Sequence, residues 1–145
     1  MSPRIAVASG YYSQNIGNAF FQLGGRAQIQ RAMPEADAIF VPDNPGNWTL
    51  WRKTKGRPDH SLEWLHWYAP DVVVLQGPTI RDGFLQMWRD SFDLLRATGT
   101  RLLLLGAGLF RFDSSERAMM RELVETGLVI GAAARDPESH QAFVE

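Results

Sequence analysis

The sequence contains no cysteine. Disulfide bonds, thiolate metal sites and cysteine nucleophiles are therefore excluded, although the absence of cysteine does not fix the cellular compartment. The sequence also has no large excess of positive or negative charge. It contains 15 Lys and Arg residues and 16 Asp and Glu residues, for a net charge of −1. Without a basic field, we expect no binding of nucleic acid or of an anionic membrane.

Long apolar runs are missing as well. No segment approaches the ~18 consecutive apolar residues of a membrane helix. The N-terminal residues include Arg4 but no long apolar stretch, so no signal peptide is predicted. We therefore expect a cytoplasmic protein without a membrane span.

Several signature motifs of common enzyme classes are absent. A dinucleotide fingerprint built on Gly106 and Gly108 would need a third glycine where Arg111 stands. Neither a phosphate-binding G-x-x-x-x-G-K-[ST] loop nor a G-x-S-x-G nucleophile elbow occurs. His60 and His66 do not share a helical face, so no metal site is predicted.

The sequence does show short apolar runs that alternate with helical patterns, and 45% of its 145 residues are hydrophobic. This alternation predicts an α/β fold, in which a Rossmann-like parallel sheet of about five strands has helices on both faces. Residues 1–145 are expected to form a single domain. Strand orders 3-2-1-4-5 and 2-1-3-4-5 both fit. Strands are predicted over residues 4–8, 38–41, 71–76, 101–105 and 128–131. Helices are predicted over 18–33 and 61–68 and at three further places. One is capped by Asp82 and ends at Gly99, one begins at a capping box of Asp113 and Glu116 and ends at Gly127, and one begins at the cap Asp136 with Pro137 in its first position.

The first predicted helix carries an apolar stripe at helical spacing, which we expect to face the core. Gly24 and Gly25 interrupt this helix. They either allow a close approach to the sheet or mark a weak helix. The stripe consists of Ile16, Phe20, Leu23 and Ala27.

Polar and glycine residues fill the loop between the first strand and this helix. Asn18, or Asn15 just before it, is expected to cap the helix. Open α/β sheets bind ligands beside such loops, at the carboxyl ends of their strands. We therefore expect a ligand crevice next to residues 9–18.

A long connection over residues 42–58 contains Trp48 and Trp51 beside several basic residues. Connections of this length are usually functional or mobile. The segment either holds an anionic or sugar ligand or covers the core with its tryptophans.

In combination, four stretches resemble the N-terminal half of the polysaccharide pyruvyl transferase family. That family has an N-x-G-D first loop, a glycine-rich turn after the third strand, a G-x-G after the fourth, and an R-D-x-x-S that opens a helix. The matching stretches, which occur in the same order, are residues 15–18, 71–77, 105–108 and 134–139.

The resemblance implies one half of a GT-B-like two-domain fold, with the family's second, C-terminal domain absent from this chain. It implies transfer of a pyruvyl group from phosphoenolpyruvate to a sugar hydroxyl in exopolysaccharide or cell-envelope polysaccharide biosynthesis. The partners would be phosphoenolpyruvate and a saccharide acceptor, without a further cofactor. No catalytic residue is assigned, because the family's donor-binding Arg and His residues lie mostly in the second half. The implied substrate-binding residues are Asn15, Gly17, Asn18, Gly77, Arg81, Gly106, Gly108 and Arg135.

The sequence departs from the family pattern at two positions. Asn18 stands where the family usually has aspartate, and Gln76-Gly77-Pro78 replaces a run of glycines. Arg81 either pairs with a carboxylate or phosphate or is a surface cation, and Arg135 faces the cleft or bonds to local backbone. Two other functions stay open, a sugar-nucleotide-dependent glycosyltransferase-like domain and a non-catalytic binding or assembly module. Homo-oligomerisation is a further expectation.

Overall fold

A computed structural model of the chain describes residues 2–9, 16–42, 65, 67–81 and 83–144. The predicted α/β alternation is confirmed over these residues. In chain order the elements are β1 (Arg4–Ser9), α1 (Ile16–Ala32), β2 (Asp37–Pro42), β3 (Val72–Gln76), β4 (Thr79–Ile80), α2 (Phe84–Thr98), β5 (Arg101–Leu109), α3 (Ser114–Glu125), β6 (Val129–Ala134) and α4 (Pro137–Val144).

The long strands form a parallel sheet in the order β2-β1-β3-β5-β6, with the short β4 paired to the end of β5. This is the 2-1-3-4-5 order of the two that the sequence left open. Helix α1, which follows β1, lies on one face of the sheet, and α2, which follows β3 and β4, lies on the other. The topological switch point therefore lies between β1 and β3.

The two faces of the sheet are covered unequally. On one face, helices α2, α3 and α4 bury a large core that includes Trp88, Leu102 and Leu123. On the other face, where α1 lies, the described core is centred on Ile5, Val7 and Val74. Strand alternation assigns each side chain to one of these two faces.

The prediction for the stripe of α1 is wrong. Ile16, Phe20 and Leu23 are 76%, 68% and 65% exposed, and Ala27 is exposed as well. Gly25 and Ile29 face the sheet instead. The physical reason is that the glycine side of the helix fits closely against the end of β3, which turns the bulky side chains outward.

Several element boundaries also differ from the prediction. Helix α1 begins at Ile16, so Asn18 lies inside it and is not its cap, while Asn15 lies outside the described residues. Gly83, in a left-handed conformation, is the N-cap of α2 in place of the predicted Asp82. Asp113 and Gly99 act as the predicted caps of α3 and α2.

Strand β5 extends to Leu109, whereas the sequence predicted its end at residue 105. Gly106 has a φ of 69° and is the extra residue where the register of β5 against β6 shifts. Such a bulge lets a strand continue after a local kink, and glycine adopts the positive φ without a Cβ clash. The predicted loop at residues 106–108 is therefore part of the strand. The predicted segments over 42–58 and 61–68, with their tryptophan and histidine residues, lie almost entirely outside the described residues.

Candidate functional site

The carboxyl edge of the sheet has a step. Strands β1 and β3 end at Ser9 and Gln76, and Gln76 lies level with Leu105 of β5. Strand β5 continues for four residues beyond that level, to Leu109. At about 3.3 Å per residue this extension is roughly 13 Å long. The ends of β1 and β3 therefore lie at the foot of a wall made by β4, β5 and β6.

The foot of this step coincides with the switch point between β1 and β3, where open α/β sheets bind ligands. Gly17 lies in the first turn of α1, next to this position in the chain. The predicted contact Asn15 and the side chain of Asn18 lie outside the described residues. We call the region formed by Ser9, Gln76 and Gly77 the crevice foot.

Two buried oxygens at the crevice foot have no hydrogen-bond partner among the described residues. They are Ser9 Oγ and Gln76 Oε1, on residues that are 1% and 8% exposed. Ser9 and Gln76 are paired neighbours in the sheet, and alternation places both on the α1 face. A buried polar group without a partner costs about 1–3 kcal/mol. Such a cost is expected where a ligand completes the hydrogen bonds.

The other end of the Gln76 side chain is fixed. Its Nε2 donates a hydrogen bond of 2.7 Å to the backbone carbonyl of Phe21 in α1. A Cβ added to Gly25 would lie 2.9 Å from Gln76 Oε1, so glycine is needed there for the helix to approach. No described atom lies within 4 Å of a Cβ added to Gly24. Of the two interpretations of the glycine pair, close approach applies to Gly25.

Gly77 forms the turn between β3 and β4. It has a φ of 70°, and its N–H donates to the Leu105 carbonyl at 2.7 Å. The residue is exposed at the foot of the step. Its N–H is therefore already engaged within the fold, and its role in binding stays a prediction.

Gly108 and Arg135, which the resemblance placed in the crevice, contact each other. The Arg135 side chain lies over the α-carbon of Gly108, since a Cβ added there would come within 2.8 Å of Arg135 Cδ and Cζ. The Gly108 N–H donates to the Pro78 carbonyl, and the Arg135 N–H donates to the Ala107 carbonyl. Arg135 Nε also donates to Asp136 Oδ2 at 3.0 Å. The G-x-G and R-D-x-x-S stretches thus meet at one place in the fold.

Ser139 completes this junction. Its Oγ accepts a hydrogen bond from the Leu109 N–H at 3.1 Å, and its N–H donates to Asp136 Oδ1 at 2.7 Å. Hydrogen bonds from the hydroxyl and backbone of Ser139, and then the nearby Arg135 guanidinium, lower the pKa of Asp136. Asp136 therefore caps α4, as predicted from the sequence. Its carboxylate also holds the Arg135 side chain.

Arg81 lies at the top of the step. It is exposed and follows β4, whose Ile80 pairs with Leu109 of β5. Arg81 therefore lies near the end of β5, several residues beyond the crevice foot. The structure brings Gly77 and Gly106 to the foot of the wall, and Gly108, Arg135 and Arg81 to the wall itself.

Sequence reasoning placed Ser9 beside the crevice without singling it out as a binding residue, and it missed the buried role of Gln76. Both end an apolar strand with a polar side chain, which is the signal that would have found them. Serine hydroxyl and glutamine amide oxygens accept hydrogen bonds, but neither group takes up a proton near neutral pH. The crevice foot can therefore bind and orient a ligand hydroxyl or ammonium group.

A cavity of about 330 Å³ lies at the opposite, amino edge of the sheet, between residues 65–71 and the end of α2. Its hydroxyl groups are already satisfied. Thr98 Oγ and Thr100 Oγ are 3.0 Å apart, and Thr100 Oγ donates to the Pro70 carbonyl at 2.9 Å. None of the described residues that line this cavity has a buried side-chain nitrogen or oxygen without a hydrogen-bond partner, in contrast to the crevice foot.

Within the described ranges, no group of three or more His, Asp or Glu residues is arranged to hold a metal ion. No helix there is long and apolar enough to cross a membrane. Comparison of the chain with protein-family models, with curated proteins and with solved structures gave no match. The support for a function therefore comes from the chain's own residues.

Proposed function

We propose that the chain is a polysaccharide pyruvyl transferase-like domain that binds a saccharide acceptor at the crevice foot. The observation that carries the proposal is the pair of buried oxygens of Ser9 and Gln76 at the switch point, which have no hydrogen-bond partner in the described part of the chain. A saccharide hydroxyl is a donor of the size and polarity that these acceptors need. Phosphoenolpyruvate, by contrast, carries acceptor oxygens and negative charge, so it is a poor hydrogen-bond donor to these two oxygens.

The junction between the G-x-G and R-D-x-x-S stretches adds support. In this chain Arg135 and Ser139 fix the end of β5 through contacts with Gly108 and Leu109. Two stretches that resemble the family therefore have a shared structural reason for occurring together. The two stretches form the wall beside the crevice foot. They do not supply the polar groups of the crevice foot itself.

The proposed reaction joins phosphoenolpyruvate to two hydroxyls of one sugar. A proton is added to the methylene carbon of phosphoenolpyruvate, which becomes a methyl group, and the first hydroxyl bonds to the central carbon. The second hydroxyl bonds to the same carbon as inorganic phosphate leaves. One hydroxyl proton balances the new C–H bond, and the other leaves with the phosphate. Ser9 and Gln76 orient the acceptor, and a second domain supplies the acid, the base and the cations.

The test measures phosphoenolpyruvate-dependent phosphate release and ketal formation, with the full chain together with its completing domain and an oligosaccharide acceptor. Ser9→Ala is expected to raise the KM for the acceptor at least severalfold. Ser2→Ala, which changes an exposed serine before β1, is the control and should leave the rate unchanged. Arg81→Ala and Asn15→Ala test the residues that the resemblance implies. Absence of ketal with every acceptor and with the completing domain present would overturn the proposal.

A binding or assembly module is the second candidate, and the outward apolar side of α1 favours it. Ile16, Phe20 and Leu23 are exposed on this helix beside the crevice. A module of this kind would form stable homo-oligomers or hold a partner chain, and Phe20→Ser would abolish that association.

Calorimetry with sugar nucleotides tests the glycosyltransferase-like alternative. Binding of a sugar nucleotide in place of phosphoenolpyruvate would indicate a glycosyltransferase-like domain.

A further inference from the structure

The turn after β5 displays two aromatic side chains at the top of the wall. Phe110 is 61% exposed and Phe112 is 36% exposed, and Arg111 between them is exposed as well. Exposed phenylalanines on a protein of this size usually belong to a contact surface when they cluster. We call residues 110–112 the aromatic turn.

A buried carboxylate holds the backbone of this turn. Oε2 of Glu116, a residue that is 1% exposed, accepts hydrogen bonds from the N–H groups of Phe110, Arg111 and Phe112 at 3.0, 2.7 and 2.9 Å. The sequence predicted a capping box between Asp113 and Glu116. Asp113 does accept from the Glu116 N–H, but the Glu116 carboxylate is used on the turn instead. Three N–H groups on one oxygen fix the conformation of the turn.

The turn is also strained. Phe112 has a φ of 60°, a left-handed conformation that costs a non-glycine residue about 1–2 kcal/mol. Strained residues that persist in a well-determined setting cluster at binding and catalytic sites.

Charged side chains of both signs lie next to the turn, but the carboxylates of Asp113 and Glu116 already accept hydrogen bonds from backbone N–H groups. Arg81 follows Ile80 of β4, and the strand partner of Ile80 is Leu109, the residue before Phe110. Arg135 is close by, behind Gly108, but its charge is offset by Asp136. Arg81 is therefore an exposed cation near the aromatic turn, and no described acidic side chain is paired with it.

We propose that the aromatic turn, together with Arg81, binds an acidic saccharide, the acceptor of the proposed reaction. The negatively charged face of an aromatic ring attracts the C–H groups that line one face of a pyranose ring. Arginine pairs with a carboxylate or phosphate on the same sugar. The identification of this saccharide as the acceptor rests on the proposed function. The binding itself does not require phosphoenolpyruvate.

The size of the surface favours a saccharide over a protein partner. A stable protein interface buries about 800 Å² on each side. A three-residue turn with one neighbouring arginine offers only enough area for one or two sugar rings. A preformed turn also reduces the ordering cost of binding a small ligand.

The test is calorimetry of the full chain with trigalacturonate, a carboxylated trisaccharide, and with neutral trigalactose. Trigalacturonate is expected to bind more tightly than trigalactose. Phe110→Ala should weaken trigalacturonate binding by about tenfold. Phe112→Gly should weaken it similarly while the fold becomes more stable, because glycine removes the strain at that position.

The controls use matched residues elsewhere. Trp67→Ala removes an aromatic side chain that is 83% exposed before β3, at the amino edge, and should leave binding unchanged. Arg81→Gln should reduce the preference for the acidic sugar over the neutral one, whereas Arg89→Gln on the exposed side of α2 should not. If Phe110→Ala disturbs the fold, as judged by circular dichroism, Phe112→Gly still decides the question.

Two results would overturn this inference. Equal affinity for the acidic and neutral sugars would contradict the role of Arg81, and unchanged binding in both phenylalanine variants would contradict the aromatic turn. Trigalacturonate binding without any ketal formation would contradict the proposed function alone. Ketal formation on neutral sugars, unaffected by the phenylalanine variants, would contradict this inference alone.

Discussion

The two faces of the sheet differ in what their side chains do. On the face covered by α2 and α3, Trp88 is stacked on Phe92 at a centroid distance of 6.0 Å within a large buried core. On the α1 face the described core is small, and the bulky side chains of α1 point to solvent. The first face stabilises the fold, and the second carries the polar groups of the candidate site.

The Gly106 bulge explains why Arg135 reaches this second face. Before the bulge, Leu103 and Leu105 lie on the α1 face, and after it Ala107 and Leu109 lie in the α2 core. The extra residue reverses the alternation, so Gly108 faces the α1 side together with Ser9 and Gln76. Site groups from three strands are thereby brought to one side of the sheet.

The largest expected effect is on the face that stabilises the fold. Trp88→Ala should lower the free energy of unfolding by roughly 3–5 kcal/mol, because it leaves a cavity among buried aromatic residues. Phe20→Ala, on the exposed side of α1, should change it by less than about 0.5 kcal/mol. Urea denaturation measures both, and equal losses would remove the contrast between the two faces.

The next effect concerns the junction of β5 and α4. Ser139→Ala should destabilise the protein by about 1–3 kcal/mol, because the buried N–H of Leu109 loses its acceptor. Ser114→Ala, an exposed serine on α3, serves as the control. A Ser139→Ala protein as stable as the wild type would show that this hydrogen bond does not hold the wall.

The neighbouring glycines of α1 provide a third comparison. Gly24→Ala should stabilise the protein by about 1 kcal/mol, because alanine is the better helix former and the site is open. Gly25→Ala should destabilise it by about 1–3 kcal/mol, since its Cβ would collide with the fixed Gln76 side chain. Thermal unfolding of the two variants checks the prediction, and opposite signs are required.

A smaller effect follows from the lowered pKa of Asp136. A carboxyl group whose pKa is lower in the folded state stabilises the fold at pH values above its unfolded-state pKa, which is near 3.8. This contribution is lost as the pH falls through the folded-state pKa. Asp136→Asn keeps a capping oxygen but has no charge to titrate. The wild-type protein should therefore lose stability more steeply below pH ~4 than the variant does. Parallel acid-unfolding curves would contradict the role of this carboxylate.

The smallest effect on stability is expected at the crevice foot. Ser9→Ala removes a buried hydroxyl that has no described partner, so stability should stay the same or rise by up to about 1 kcal/mol. The same variant is expected to weaken acceptor binding. Such a gain in stability with a loss of binding is typical of a functional position. A loss of more than 1 kcal/mol would instead show that the hydroxyl has a structural partner.

The sequence was sufficient to predict the fold class, because apolar strands and helix caps are local signals. Asp113, Gly99 and Asp136 end or begin helices as their chemistry predicts. The stripe of α1 was predicted wrongly because its periodicity says nothing of what covers it. The close approach at Gly25 decided which side of the helix turned inward, and that contact with Gln76 joins residues 51 positions apart.

The candidate site was predicted only in outline. Its place at the carboxyl edge followed from the polar loop after β1, but the choice between strand orders needed the pairing of β1 with β3. The strand-internal position of Gly106 and the cover of Arg135 over Gly108 depend on the register against β6. Register between distant strands leaves no local pattern in the sequence.

The most direct test follows the ¹H–¹⁵N spectrum of the full chain while trigalacturonate and phosphoenolpyruvate are added. The side-chain amide of Gln76 and the backbone amides of Ser9 and Gly77 are expected to shift with increasing ligand. The amides of Thr98 and Thr100, beside the cavity at the amino edge, should not move. Shifts at Thr98 and Thr100 with unchanged signals for Ser9 and Gln76 would contradict a ligand site at the crevice foot.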